Sequence, residues 1–263
     1  MKKIFLLLAF ALTASVANAW IRVCDEGVAI LASQNLTPEA KSVVEKYLGA
    51  SLKDDIHYLY VLESKKRSPY TKEIHFVHLD SQLQPKAADE NDALVALERC
   101  VNIVKERNSH PAGEVKAALR TIINLMCDIH NFSNYRIDGV AHSQQPFKFK
   151  RTVYEYGKTK DQLANVKWMT LWTGYGNRHR GFSGALWAED MALCLGNKKA
   201  EFSQGTLRDW VKETGAKSAS FLSFINPSYV MPVLMFNELE DTNYEQMVRA
   251  SYRLAALLNE VIR

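Results

Sequence analysis

Apolar residues recur along most of this chain at three- and four-residue intervals, the spacing of one face of an α-helix. Asp92 to Lys105 places Leu94, Leu97, Val101 and Val104 on such a face. Glu114 to Asn131 is richer, with Val115, Leu119, Ile122, Ile123, Met126 and Ile129, and predicts a central helix. The tail from Asn243 to Ile262 carries Met247, Leu254, Leu257, Leu258 and Val261 on one stripe. Thr37-Pro38-Glu39 reads as an N-cap, a proline at the first helical position and an early acid, predicting a helix that runs to Leu48, before Gly49. Gly181 to Leu195 and Gly205 to Thr214 also read as helical. Only Phe147-Lys148-Phe149-Lys150 alternates in the manner of a strand, with Tyr154-Glu155-Tyr156 following and Gly157-Lys158 able to turn it. The predicted class is therefore mostly α, with one small β-hairpin. Gln82 to Asn91 is the stretch best suited to be an exposed, protease-sensitive loop.

The amino-terminal segment has a different pattern. Lys2 and Lys3 precede an apolar run from Ile4 to Leu12, and Ala17-Asn18-Ala19 is a small-residue cleavage site. This is the pattern of a secretory signal peptide over residues 1–19, and the run is too short to span a bilayer. Export to a periplasm or the exterior is the expectation, with residues 20–263 forming one domain that begins at Trp20. No later stretch reaches the roughly 20 apolar residues of a membrane helix. The net charge of +4 falls when Lys2 and Lys3 are removed, and is too mild to imply nucleic-acid binding by field alone. Cys24, Cys100, Cys127 and Cys194 permit two disulfides in an oxidising compartment, and three pairings remain open. No C-x-x-C pair is present, which argues against a thiolate zinc knuckle.

Several segments, in order, resemble one family: the secreted zinc-dependent single-strand nucleases of the S-one/P-one type, in the phospholipase C/nuclease superfamily. Trp20 matches the family's amino-terminal tryptophan, whose free amine and carbonyl chelate a metal. Ala32-Ser33-Gln34-Asn35-Leu36-Thr37-Pro38-Glu39-Ala40 is similar to its "A-x-x-x-L-T-P-x-A" segment. Ile74-His75-Phe76-Val77 resembles "W-H-Y-V", and Leu125-Met126-Cys127-Asp128-Ile129-His130-Asn131 resembles "L-V-G-D-I-H-Q". Arg253 to Glu260 resembles the carboxy-terminal helix signature. The resemblance spans almost all of residues 20–263. It implies a nearly all-α fold with a small hairpin near the cleft, and hydrolysis of phosphodiester bonds in single-stranded nucleic acid by three clustered zinc ions.

Carried over position by position, the family's ligands are mostly replaced. Trp20, His75 and Asp128 are kept, and Asp25 stands where the family has a histidine. Leu62 falls at an aspartate position, with Glu63 a substitute only if the register slips by one. Asn124 and Asn134 stand at histidine positions on either side of Asp128. Met169 and Thr173 stand where a histidine and an aspartate pair up, while Trp172 between them is kept. Zinc takes about three or four N, S or carboxylate ligands, and amide oxygens are poor substitutes. The resemblance therefore implies an eroded centre. At most one zinc is expected, near Trp20, Asp25 and Asp128, with His75 as a further ligand position and Asp128 the best catalytic candidate. It also implies that Cys24 and Cys127, each preceding one of those aspartates, are neighbours. They would be a candidate disulfide or thiolate ligand pair, unless Cys127 is simply a small buried hydrophobe.

Other residues could replace the missing ligands only under particular geometries. His75-x-x-His78-x-Asp80 could ligate if turned, but on a strand His75 and His78 face opposite sides. His130 lies two positions from Asp128, about 200° around a helix, and reads as packing. His142 and His179 lie in loop-like sequence and read as solvated, and His57 and His110 have no evident partners. Lys148, Lys150 and Arg151 interleave with Phe147 and Phe149, and Arg178-His179-Arg180 follows a glycine turn. Such clusters can hold single strands by stacking, but the favoured reading is the plainer one, a hairpin whose Phe side packs inward and whose Lys side is solvated. The expected function is that of a divergent family member with weak or absent hydrolysis, whose partner is single-stranded nucleic acid or another phosphate-containing ligand. The alternatives are an active phosphodiesterase using one or two metals through altered ligands, and a non-catalytic interaction protein of the cell envelope.

Overall fold

A computed structural model describes residues 20–55, 75–86, 92–140, 146–155, 157–167, 172, 181–223, 230–231 and 233–263. The proposed leader, Leu62, Glu63, His57, His142, Met169, Thr173 and Arg178 to Arg180 lie outside them, as do the side-chain surroundings of Phe147 to Arg151.

Most described residues are helical, as the periodicity predicts. Helix α1 (Arg22–Gln34) leads to α2 (Pro38–Leu48), where the Thr37 hydroxyl accepts from the Ala40 amide. Strand β1 (Val77–Leu79) precedes α3 (Ala93–Lys105), capped by the Asp92 carboxylate on the Leu94 amide. Helix α4 (Ala112–Asp128) is the central element. It ends three residues before the expected Asn131, because the Asn131 side chain accepts from the Ser133 amide and opens a 3-10 turn, Phe132–Asn134. That turn leads directly into β2 (Tyr135–Ile137).

Strands β3 (Pro146–Glu155) and β4 (Lys158–Lys167) form the expected hairpin. It turns at Gly157, whose φ of 77° suits a residue without Cβ. Then follow α5 (Gly184–Leu195), the single turn α6 (Lys199–Phe202), α7 (Leu207–Ser223), β5 (Val230–Met231) and α8 (Val233–Val261). Helix α5 starts at Gly184, not Gly181, because Ser183 caps it through the Leu186 amide. Helix α7 runs past Thr214 to Ser223, and α8 begins ten residues before Asn243.

The sequence pattern missed the parallel pairing of β1 with β2 (Val77↔Tyr135, Leu79↔Ile137) and of β5 with β3. The larger core joins α2, α3, α4, β1, β2, α7 and α8. A second cluster joins Trp20, Cys24, Val28 and Leu31 of the amino-terminal region to Cys127, Trp187, Met191, Phe202 and α8. Helices α1 and α5 cross closely: a Cβ on Gly27 would lie 2.6 Å from that of Trp187. No helix among the described residues is long and apolar enough to cross a membrane.

Candidate functional site

The β1–β2 pair builds the site. His75 stands two residues before β1, and β2 begins directly after the 3-10 turn that follows α4. Pairing Val77 with Tyr135 therefore carries His75 to the carboxy-terminal end of α4. There His75 Nδ1 lies 2.8 Å from Asp128 Oδ2. The other Asp128 oxygen, Oδ1, accepts from Asn134 Nδ2 at 2.7 Å. All three side chains are buried. With Asp128 ionised, His75 carries its proton on Nδ1 and donates it. Burial pushes the Asp128 carboxyl above its usual range, and the His75 and Asn134 contacts pull it back only in part.

Helix α1 brings Asp25 to the same place. The Cys127 thiol is hydrogen-bonded to Asp25 and also feels the charges of Asp25 and Asp128 and the Cys24 sulfur. Burial, reinforced by those carboxylates, holds the Cys127 thiol well above its ordinary pKa. Cys24 and Cys127 are thus near one another in one buried cluster, as the resemblance implies, but neither is in a disulfide, nor is Cys100 or Cys194. The Cys24–Cys127 bridge that the resemblance offers is not formed. Thiolate is the form that exchanges with disulfides, and this setting suppresses it.

Trp20 is buried in the same cluster, and its indole N–H donates to Asn243 Oδ1 at 2.7 Å. Asn243 Nδ2 reaches the Trp172 carbonyl at 3.4 Å. The Trp172 ring packs edge-on to Phe132, with centroids 4.5 Å apart, beside the turn that carries Asn134. Trp20, Asp25, His75 and Asp128 therefore gather in one buried region, with Asn124 half-buried one turn before Asp128.

Among the described residues, no group of three or more His, Cys, Asp or Glu side chains is placed to hold a metal. Both oxygens of Asp128 are engaged by protein donors, and the neighbouring amides of Asn124 and Asn134 are weak zinc ligands. As placed, these side chains do not fit the three-zinc set that the resemblance implies. His78 does not join His75. It lies on β1, where its amide and Nδ1 both meet the Asp92 carboxylate, at 2.7 and 3.0 Å. Asp80 instead accepts from the Gln82 and Gln84 amides in a turn. His110, two residues ahead of α4, lies with Nδ1 3.1 Å from Glu114 in the first turn of that helix.

His130 lies two residues beyond the end of α4, where it is buried and bonded through both ring nitrogens. Its Nδ1–H donates to the Met126 carbonyl at 2.7 Å, and Nε2 accepts from Arg253 Nη1 at 3.1 Å. Arg253 also reaches the Phe202 carbonyl and Glu213. Burial, then the Arg253 charge, holds the His130 pKa well below its usual value. Sequence reasoning overlooked Asn243, which anchors Trp20. The available signal was a polar residue on the apolar stripe of α8. Compared with known proteins, the chain matches no protein-family model and no curated protein.

Proposed function

We propose that this chain is an exported, divergent relative of the zinc-dependent single-strand nucleases, with weak or absent phosphodiester hydrolysis and at most one zinc. In this reading it binds single-stranded nucleic acid or another phosphate-containing ligand without cutting it. The observation that carries the reading is the Asp128 carboxylate, one oxygen on His75 and the other on Asn134. A carboxylate that serves a metal centre offers its lone pairs to cations, whereas this one offers them to a ring N–H and an amide.

The test combines metal analysis, hydrolysis of single-stranded DNA, and thermal melts with a single-stranded oligonucleotide or inorganic phosphate. A ligand selective for the native state raises the melting temperature. The reading expects at most one zinc, little or no cleavage, and a rise with the oligonucleotide or with phosphate. Stoichiometric zinc with brisk cleavage would favour the active phosphodiesterase. An unchanged melt with both ligands would favour the envelope scaffold.

A further inference from the structure

The β3–β4 hairpin concentrates the positive charge of the chain. Residues 146–167 hold five lysines and Arg151 against Glu155 and Asp161, a net +4, which equals the net charge of all 263 residues. The strand register sorts these residues by face, since successive positions alternate and register partners share a face. Phe147 pairs with Val166 and Phe149 with Ala164, so these four fall on one face. Lys148 pairs with Asn165 and Pro146 with Lys167, which puts Lys148, Lys150 and Lys167 on the other face. Tyr154, paired with Thr159, lies farther along that second face. Among the described residues of the second face the one acid is Asp161, paired with Thr152 toward the turn. Strand β5 pairs with β3 at Lys148 and Phe149, so β3 is central, β4 is an outer strand, and the three lysines sit at the anchored end. A sheet with one apolar and one polar face packs the first and leaves the second to solvent.

Lys148 and Lys150 are about 6.8 Å apart along β3, and Lys167 is about 7–8 Å from Lys148 across the ladder. Like charges this close repel, and the strand pairing gains nothing from them. A polyanion laid across the face offsets that repulsion, and phosphates recur at a similar interval along an extended nucleic-acid strand. An aromatic residue beside cations accepts the face of any base, which holds a strand without sequence readout. We propose that this second face of the hairpin is where a single-stranded nucleic acid docks, with Lys148, Lys150 and Lys167 on its phosphates and Tyr154 against a base. The inference rests on the reading that the chain binds a single strand, and it assigns that binding to the hairpin. Phe147 and Phe149 interleave with the lysines in sequence, but the register puts them on the opposite face, and they take no part.

The test titrates a fluorescent single-stranded oligothymidine with the purified chain, in chelator, from about 50 to 200 mM salt. Each phosphate contact on a single strand contributes about 0.7 to the slope of log affinity against log salt. Lys148→Gln, Lys150→Gln and Lys167→Gln together should therefore flatten the slope by about 2. Lys148→Arg, Lys150→Arg and Lys167→Arg together should keep it. Lys158→Gln with Lys160→Gln, on the opposite face, should leave it near that of the parent. Tyr154→Ala should weaken binding about 5- to 150-fold, and Tyr154→Phe should not. Should the triple glutamine variant not fold, bound oligonucleotide on the parent should slow acylation of Lys148, Lys150 and Lys167 more than that of Lys158 and Lys160. Equal slopes for the parent and the triple glutamine variant, equal protection of the two lysine sets, or full affinity in Tyr154→Ala would overturn the inference. So would binding to phosphatidylserine vesicles without binding to the oligonucleotide. An oligonucleotide that binds the parent and the triple glutamine variant alike overturns this surface alone, whereas a parent that binds no oligonucleotide overturns the single-strand reading as well.

Discussion

His75 Nδ1 lies 2.8 Å from Asp128 Oδ2, with both side chains shut away from solvent. Removing one member of a buried charged or polar pair leaves the other desolvated, at a cost of about 3–5 kcal/mol. His75→Ala should therefore lower unfolding stability by about that amount in urea titrations. Asn134→Ala should cost less, about 1–3 kcal/mol, since it removes one amide donor. A His75→Ala change within a few tenths of wild type would mean that the pair is not formed in solution.

His130 predicts acid sensitivity. Its unfolded pKa is near 6.5, and burial beside Arg253 places the folded value well below that. The folded state thus prefers the neutral ring. This contribution is fully present above about pH 6.5 and is lost as pH falls toward the folded value, by up to about 1.4 kcal/mol per pH unit. The slope between roughly pH 5 and 6.5 should flatten in His130→Gln relative to the parent. Parallel slopes in the two proteins would show that the ring is not held neutral.

The thiols should divide by burial. Cys194 is exposed, whereas Cys24, Cys100 and Cys127 are buried. Burial also raises the Cys100 and Cys127 pKa values. A thiol reagent should label Cys194 quickly in the native protein and all four cysteines once it is unfolded without reductant. Finding only Cys100 and Cys194 reactive after unfolding would indicate a Cys24–Cys127 bridge.

Gly27→Ala should destabilise the crossing of α1 and α5. The added Cβ would sit 2.6 Å from the Trp187 Cβ, which is close to the backbone and cannot rotate away. Overpacking of this kind costs about 1–3 kcal/mol. Gly113→Ala, which meets nothing within 4 Å, serves as the control. Equal melting temperatures for the two variants would contradict the packing.

Local signals were legible in the sequence. Thr37-Pro38 and Gly49 bracket α2, Asp92 caps α3, and Gly157 turns the hairpin, because each acts on its own neighbours. Helix ends set by side-chain competition were less so: α4 stops where Asn131 turns back on Ser133. The β1–β2 pair was invisible because each strand has three residues and their partnership spans 58 positions, from Val77 to Tyr135. The site depends on that pairing. Its members His75, Asp128 and Asn134 were picked out through resemblance, but their mutual hydrogen bonds were not, since a list of ligand positions does not say which side chains bond one another. Asn243 was missed for a similar reason. Its role depends on Trp20, which lies 223 residues away.

In the proposed function, the Asp128 carboxylate and the His75 imidazole bond to each other and to Asn134 rather than to a zinc cluster. Zinc analysis of the purified chain beginning at Trp20, after incubation with excess zinc and removal of the unbound metal, tests it most directly when paired with a single-stranded DNA cleavage assay on the same sample. No more than one zinc per chain and little or no cleavage is the expected result. Three zinc ions per chain with rapid cleavage would contradict it.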